Sequence, residues 1–271
     1  MMHTEKIVSL DRVELQPYRT LRWDFEHRRQ GIFVAEGEKV VRRLLHSRLT
    51  VVSLLLPEKW AKIYEPLLTQ RPETPRVFIA EKKLLERLTG FSMYQGIHAI
   101  GRIPPPRSVG ELLASAPRPW LLAAVDGLSN AENVGGLVRN CAAFGVQALI
   151  VGETSSSPWL RRAVRSSMGT VFDLPVIEAG NLAAALRGLR QRGVRCVAAH
   201  PRDQLAKLSQ ARLADDCCLV FGSEAAGISE PVLAACDEAV AIPMPTTVDS
   251  LNVGSAAAVF LYEAARQRGR A

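Results

Sequence analysis

Small and polar residues follow apolar runs at three places in the second half of the chain. They occupy residues 126–136, 222–227 and 250–254, and the last stretch leads into the small side chains of 255–258. In an open α/β sheet, ligands bind at turns after strand ends, and the N-terminus of a following helix offers unpaired N–H groups to a bound acceptor. The pattern therefore predicts a ligand site, and ordinary strand-to-helix connections are the alternative.

Arg139 is the charged residue of these segments that is best placed to bind an anion. The apolar residues around it recur at i, i+3, i+4 and i+7, which predicts one buried helix face: Val134, Leu137, Val138 and Cys141. Arg139 lies off that face, where a guanidinium can reach a phosphate. Surface pairing of Arg139 with Glu132 and capping of the helix by Asn133 are the alternatives.

Apolar runs that alternate with helical patterns position these segments. The runs of the second half are residues 120–125, 148–151, 194–199 and 217–221. Continuous apolar strands between amphipathic helices are typical of a parallel sheet that is covered on both faces. The sequence therefore predicts an α/β fold with a mostly parallel sheet and helices on both faces.

The first hundred residues predict a second, smaller α/β domain. Its predicted strands are 31–35, 51–56, 76–80 and 96–100, and its predicted helices are 37–47 and 81–89. The stiff tract Ile103-Pro104-Pro105-Pro106 fits neither a helix nor a central strand, and it predicts a linker. The predicted organisation is a domain over 1–103, a Pro-rich linker over 104–117 and a larger domain over 118–271.

The net positive charge is concentrated in the first part of the chain. Residues 1–107 carry 19 Lys and Arg against 12 Asp and Glu, whereas residues 108–271 carry 15 of each. The basic residues cluster at Arg19, Arg22, Arg28, Arg29, Lys39, Arg42, Arg43 and Arg48. Such clusters favour binding of nucleic acid by the N-terminal domain, and a solvated basic surface is the alternative.

Composition excludes several other classes of protein. The five cysteines are odd in number and form no Cys-x-x-Cys pair, which predicts buried thiols in a reducing compartment and no zinc or other metal site. No window approaches the roughly 18 apolar residues of a membrane span, and no apolar signal core follows the N-terminus. We therefore expect a cytoplasmic protein without a membrane partner.

Common nucleotide and hydrolase motifs are missing from the sequence. No Gly-x-Gly-x-x-Gly follows the first strand of the larger domain, and Ile228 stands where a P-loop would need its lysine. No Gly-x-Ser-x-Gly elbow is present either. His200 is the one histidine that ends a predicted strand of this domain, and we expect it to be structural.

Read together, the motifs resemble those of the SpoU, or TrmH-type, branch of the SPOUT RNA methyltransferases. The first family motif is similar to residues 133–139, the second to residues 221–228, and the third to residues 242–244 and 250–256. The N-terminal part resembles the family's substrate-binding domain, which is akin to ribosomal protein L30e, through residues 33–37 and Gln95-Gly96-Ile97. Two departures concern loop stiffness and packing: Ala131 replaces a proline, and Gly254-Ser255 replaces Ser-Val.

The resemblance implies a C-terminal trefoil knot that binds S-adenosylmethionine, and a homodimer with its sites at the subunit interface. By analogy, the cofactor contacts come from Gly222, Ile242, Met244 and Leu251, largely through backbone. The implied catalytic group is Asn133, Arg139, Glu224, Ser250 and Asn252. The implied reaction is 2′-O-methylation of a ribose in structured RNA, with ribosomal RNA favoured over transfer RNA, and without a metal.

The residue types fit that reaction. The 2′-hydroxyl must be oriented and must lose its proton as the new bond forms. A guanidinium is a poor base, so we assign Arg139 chiefly to holding a phosphate and stabilising a developing alkoxide, with proton acceptance left open. Glu224 is the alternative proton acceptor, or it orients Asn133, while Ser250 and Asn252 shape the loop.

Two other kinds of protein remain open at this point. One is a non-catalytic RNA-binding protein on the same fold, and the other is a small-molecule enzyme on a doubly wound sheet. The retained polar residues of the motifs disfavour the first, and the basic N-terminal part disfavours the second.

Overall fold

The chain forms two compact units. The computed structural model describes residues 3–21, 24–89, 96–201, 206–245 and 247–270. One unit is Met1–Pro105 with Trp159–Phe172, and the other is Pro106–Pro158 with Asp173–Ala271. Arg22 and Gln95, which the sequence analysis singled out, lie outside the described residues.

Helices and strands alternate along most of the chain. The strands are β1 (His3–Lys6), β2 (Ile32–Glu36), β3 (Val51–Leu56), β4 (Arg76–Ile79), β5 (His98–Arg102), β6 (Leu121–Val125), β7 (Ala148–Val151), β8 (Val176–Glu178), β9 (Arg195–Ala199), β10 (Ala206–Lys207), β11 (Cys217–Phe221) and β12 (Glu238–Ala241). The helices are α1 (Gln16–Arg19), α2 (Asp24–Arg29), α3 (Glu38–His46), α4 (Glu58–Thr69), α5 (Lys82–Thr89), α6 (Val109–Ser115), α7 (Ala131–Ala143), α8 (Arg161–Ser166), α9 (Leu182–Arg190), α10 (Glu230–Leu233) and α11 (Val253–Gln267).

The first unit is built on a mixed five-stranded sheet of order β1-β4-β3-β5-β2. Strand β5 runs antiparallel to both β2 and β3, while β1, β3 and β4 pair in parallel. Helix α3 buries one face on this unit because its apolar residues fall at helical spacing: Val40, Val41, Leu44 and Leu45.

Residues 159–172 belong to the first unit although they follow β7 of the second. The ring of Phe33 on β2 lies 5.2 Å from that of Trp159 and 5.3 Å from that of Phe172, measured between ring centroids. All three side chains are buried. Both ends of the segment are thus held by one aromatic residue, a long-range contact that the sequence pattern does not reveal.

The second unit contains a parallel sheet of seven strands in the order β10-β12-β9-β11-β6-β7-β8. One face carries Leu122, Ala124, Cys196 and Val220, which share a core with α6, α9 and α10. Phe221 points to the other face, where its ring meets that of Phe260 on α11 at 5.9 Å. Helices cover both faces, so the predicted α/β fold with a parallel sheet is confirmed. The trefoil knot stays a prediction.

Helix α6 lies inside the range predicted as a linker, 104–117. Ser108 and Glu111 form a reciprocal capping box at its N-terminus, and Leu112 and Leu113 are buried in the core of the second unit. The proline tract ends before this cap. Residues 109–115 are therefore part of the second unit's packing and not a linker.

The sequence predicts buried thiols and no membrane-spanning segment. All five cysteines are free thiols, and Cys141, Cys196, Cys217 and Cys218 are buried. Within the described ranges, no helix combines the length and the apolar character needed to cross a membrane.

Candidate active site

Strand order alone brings the predicted site segments together. The neighbouring strands β12, β9 and β11 are parallel, so the loops after their carboxyl ends lie side by side. These loops surround a cavity of about 400 Å³, a size typical of small-ligand sites. It is lined by Ala199, His200, Pro201, Phe221, Gly222, Ser223, Glu224, Ala225, Ala226, Gly227, Ile242, Met244, Asp249, Ser250, Leu251, Val253, Ala256 and Phe260.

The loop after β11 is a closed turn. The N–H of Ser223 donates to the carbonyl of Gly227 at 2.9 Å, and the N–H of Gly227 donates back to the carbonyl of Ser223 at 2.9 Å. The Ser223 hydroxyl also accepts from the N–H of Ala226 at 3.0 Å. A Cβ on Gly222 would lie 2.2 Å from the carbonyl carbon of Gly227. Glycine at 222 is therefore what lets this turn fold back over its own strand.

Two asparagines from separate segments meet at Glu224, which lies on a third segment. The amide groups of Asn133 and Asn252 each donate to Glu224 Oε1 at 2.7 Å, and the Asn252 amide also lies 3.3 Å from Asn133 Oδ1. Since both amides occupy the same oxygen, the carboxylate is held in one orientation. The family motifs place Asn133, Glu224 and Asn252 in one group, and the structure brings them together.

Helix ends position the two asparagines. Asn130, and not Asn133, caps helix α7, because its side-chain oxygen accepts the N–H groups of Glu132 and Asn133. Asn133 then stands in the first turn with its amide directed at Glu224. Asn252 caps helix α11 through its own Oδ1, which accepts the N–H of Gly254 at 2.9 Å, and its Nδ2 is left for Glu224.

The residues predicted to contact a cofactor all line the cavity. These are Gly222, Ile242, Met244 and Leu251, and the predicted site residue Ser250 lies on the same wall. Ile242 and Met244 follow β12, whereas Leu251 precedes α11, so residues that are distant in sequence share one cavity. Their role in binding stays a prediction.

Arg139 lies apart from this group. Its side chain is exposed, it does not line the cavity, and it has no hydrogen bond or ion pair within the part of the chain that the structure describes. It follows Asn133 by six residues on the same helix, which corresponds to about 9 Å along the axis and about a third of a turn around it. The sequence grouped Arg139 with Asn133, but a single chain does not bring the two side chains to one point.

The cavity wall also contains residues that the sequence analysis did not assign to the site. His200, expected to be structural, follows β9 and lines the cavity, as do Asp249 and Phe260. The sequence feature that could have identified His200 as a cavity residue is its position at the end of a strand that neighbours the other site strands. Among the described residues, no cluster of three or more His, Cys, Asp or Glu side chains could hold a metal ion.

Comparison with known proteins places this site in a family. Residues 121–262 match the model of the SpoU rRNA Methylase family. A protein of Mycobacterium tuberculosis (strain ATCC 25618 / H37Rv), named as an uncharacterized tRNA/rRNA methyltransferase, is 34% identical over 242 residues, which are 88% of this chain and 82% of that protein.

Solved structures share the fold of the whole chain. An AdoMet-bound rRNA methyltransferase from Sinorhizobium meliloti superposes with a TM-score of 0.84 at 23% identity, covering 97% of this chain and 98% of the other. A protein described as an RNA 2′-O ribose methyltransferase superposes with a TM-score of 0.79 at 26% identity, covering 97% and 99%. The family match and the relative's identity over most of its length settle the family: the chain belongs to the SpoU rRNA methylase family, the SpoU/TrmH type of SPOUT-class RNA methyltransferases.

Proposed function

We propose that the protein transfers a methyl group from S-adenosylmethionine to a ribose 2′-oxygen of structured RNA, with ribosomal RNA as the favoured substrate. The observation that carries this proposal is the meeting of Asn133, Glu224 and Asn252 beside the cavity. Three family motifs that are far apart in sequence thereby supply one polar cluster and one binding pocket. A non-catalytic RNA-binding protein would need neither.

The cavity suits the donor on three counts. Ile242, Met244 and Leu251 give apolar walls for a flat aromatic group. Gly222 lets the turn after β11 close against its own strand, which keeps the wall residues 223–227 in place around the cavity. Glu224 places a carboxylate on the wall, which favours a bound cation. S-adenosylmethionine, when bound, supplies a methyl group that is carried on a sulfonium. The Sinorhizobium meliloti structure, which has the same fold, contains AdoMet.

The chain's own residues orient and polarise the sugar. Asn133 and Asn252 occupy Oε1 of Glu224, which leaves Oε2 to accept a hydrogen bond from the ribose hydroxyl. Because a carboxylate is a far better base than a guanidinium, we assign proton acceptance to Glu224. Arg139 holds a phosphate and stabilises the negative charge that develops on the oxygen.

Arg139 does not line the cavity of its own chain. Its proposed role therefore requires a second copy of the chain whose bound ribose lies beside Arg139. Helices α7 and α11 touch through Asn140, whose amide donates to the Gly254 carbonyl at 2.6 Å. The ring of Phe144, directly after α7, also contacts that of Tyr262 on α11. Beside these contacts, Val259 is 40% exposed and Tyr262 is 51% exposed. We therefore propose that α7 and α11 form the face of a homodimer, and that Arg139 serves the site of the neighbouring chain.

The reaction is tested with donor labelled with tritium on its methyl group. After incubation with ribosomal RNA and complete digestion, the label is expected in 2′-O-methylnucleosides. Label in a methylated base would overturn the proposed reaction. Incubation with transfer RNA tests the alternative substrate, and mapping of ribose methylation in cells lacking the protein identifies the target.

The role of Arg139 is tested by substitution. Arg139→Ala is expected to abolish turnover and to leave donor binding, measured by calorimetry, nearly unchanged. Arg212→Ala, at a 79% exposed side chain that pairs with Asp215 three residues away, is the matched control and should retain activity. Normal turnover by Arg139→Ala would remove this residue from the mechanism.

Mixed dimers test whether Arg139 acts on the neighbouring chain. Chains carrying Arg139→Ala are expected to be inactive and chains carrying Glu224→Gln to keep about a hundredth of the activity, but a dimer of the two has one site with both native residues. After random exchange, about a quarter of wild-type activity should return. No recovery, despite exchange shown by mass spectrometry, would place both residues in the same chain's site.

A further inference from the structure

Segment 159–172 carries three arginines and no acidic residue onto the first unit. Within it, α8 buries Ala163 and Val164, which at 100° per residue leaves Arg162 and Arg165 at the outward pole of the helix. Arg162 is exposed and has no ion pair among the residues that the structure describes, and the Arg165 side chain is 57% exposed. The outward face of α8 is therefore cationic along its length.

Glu36 fixes α8 in this position. The carboxylate of Glu36 is only 7% exposed and lies at the carboxyl end of β2. It pairs with Arg161 through Oε2 and with Arg165 through Oε1, the latter at 3.3 Å. Arg161 also donates to the carbonyl of Leu21 at 3.3 Å. One buried carboxylate thus anchors two arginines from the inner side, and most of the positive charge remains outside.

Helix α3 extends the same cationic surface. It begins two residues after Glu36, and Lys39 in its first turn is exposed and unpaired within the described ranges. The stem of Arg43 lies 3.2 Å from the Cβ position of Gly169, so α3 and the segment adjoin. Arg42, in contrast, pairs with Glu38 at 2.6 Å and lies over the ring of Tyr64. Residues 36–46 and 159–172 together hold six Lys and Arg against two Glu.

From this arrangement we infer that α8 and the first turn of α3 form one phosphate-binding surface for the RNA backbone, with Arg162, Arg165 and Lys39 as its contacts. The inference rests on the proposed function for the identity of the polyanion. It differs from the sequence-based expectation in one respect: part of the RNA grip comes from a segment inside the methylase-matching range, 121–262, and not from residues 1–103 alone. A track of fixed cations positions a nucleic acid without reading its sequence.

The experiment measures the binding of a fluorescein-labelled RNA hairpin of 30 nucleotides by fluorescence anisotropy between 50 and 300 mM KCl. Arg162→Ala and Lys39→Ala are each expected to weaken binding several-fold and to lower the slope of log affinity against log salt by about one. Lys83→Ala on α5 is the matched control, because Lys83 is another exposed lysine of the first unit with no ion pair among the described residues. It should change neither quantity.

The outcomes separate this inference from the proposed function. If Arg162→Ala and Lys39→Ala bind RNA as Lys83→Ala does, while the wild-type protein methylates RNA, the surface is refuted and the reaction stands. If the two variants lose binding but the wild-type protein transfers no methyl group to any RNA, the surface stands and the reaction is refuted. Circular dichroism of each variant confirms that the exposed substitutions leave the fold intact.

Discussion

Replacement of Gly222 by alanine tests the candidate site most directly. A Cβ at this position would lie 2.2 Å from the Gly227 carbonyl carbon and 2.3 Å from the Ile228 nitrogen, where ordinary contacts begin near 3.4 Å. Both neighbours are backbone atoms, so no side chain can rotate away. The turn that carries Glu224 would have to move by about 1 Å, and a displacement of that size costs about 100-fold in a positioned reaction.

The assay compares Gly222→Ala with Gly188→Ala. Gly188 lies inside α9, and beyond its own helix no heavy atom of the described residues lies within 4 Å of its Cβ position. We expect Gly222→Ala to lower kcat/KM for RNA methylation about 100-fold, to weaken donor binding in calorimetry, and to lower the free energy of unfolding by about 1–3 kcal/mol through overpacking. Gly188→Ala should keep full activity and stabilise the fold by about 0.5–1 kcal/mol.

The refuting result for Gly222→Ala is clear. If the variant folds, binds the donor with wild-type affinity and methylates RNA at the wild-type rate, then the closed turn after β11 is not part of the working site. Because Gly188→Ala makes the same chemical change at an open position, a loss of activity in both variants would point to a general effect on folding.

Three further predictions concern charge and stability. Glu224→Gln keeps an oxygen that can accept from Asn133 and Asn252 but removes the basic carboxylate, so kcat should fall about 100-fold with donor affinity retained; unchanged kcat would restrict Glu224 to orientation. Burial of His98 lowers its pKa to about 4; of the two nearby charges, Glu36 raises this pKa and Arg161 lowers it. Because His98 in the unfolded chain takes up its proton near pH 6.5, the free energy of unfolding should be about 2 kcal/mol smaller at pH 5 than at pH 7.5. His98→Leu should remove that pH dependence in urea unfolding, and an unaltered pH profile would contradict the assignment. Arg268→Ala removes donations to the carbonyls of Leu213, Pro119 and Trp120 and should lower the free energy of unfolding by about 3 kcal/mol, whereas Arg266→Ala, at a surface pair, should change little.

The central strands could be predicted from sequence because β6, β7 and β11 are uninterrupted apolar runs, and β3 and β9 are apolar apart from Ser53 and Arg195. Strands β3, β7 and β11 begin and end where the pattern placed them, and β6 and β9 differ by one residue at their start. Every residue of β6, β7 and β11 is buried, so composition alone marks these three strands. The edge strands β1, β8 and β10 are two to four residues long and carry polar side chains, which leaves no comparable signal.

Helix α6 and segment 159–172 could not be predicted because tertiary contacts decide them. The capping box of α6 is a local signal for a helix, but the proline tract before it is a stronger local signal for a linker. Burial of Leu112 and Leu113 decides in favour of the helix. Segment 159–172 is placed by Phe33 and Glu36, which lie more than a hundred residues earlier. No periodicity within the segment carries that information.

The family motifs name the residues of the candidate site, but they do not give its geometry. A linear motif joins Asn133 and Arg139 as though they acted together, whereas six residues of helix direct them to different places. In contrast, Asn133 and Asn252 lie 119 residues apart in sequence, and both donate to one oxygen atom of Glu224. The parallel order of β12, β9, β11 and β6 makes this possible, because it gathers every strand-end loop at one edge of the sheet. Arg139 is a motif residue that this edge does not gather, so we propose that its partner lies outside the chain, and the mixed-dimer experiment tests that proposal.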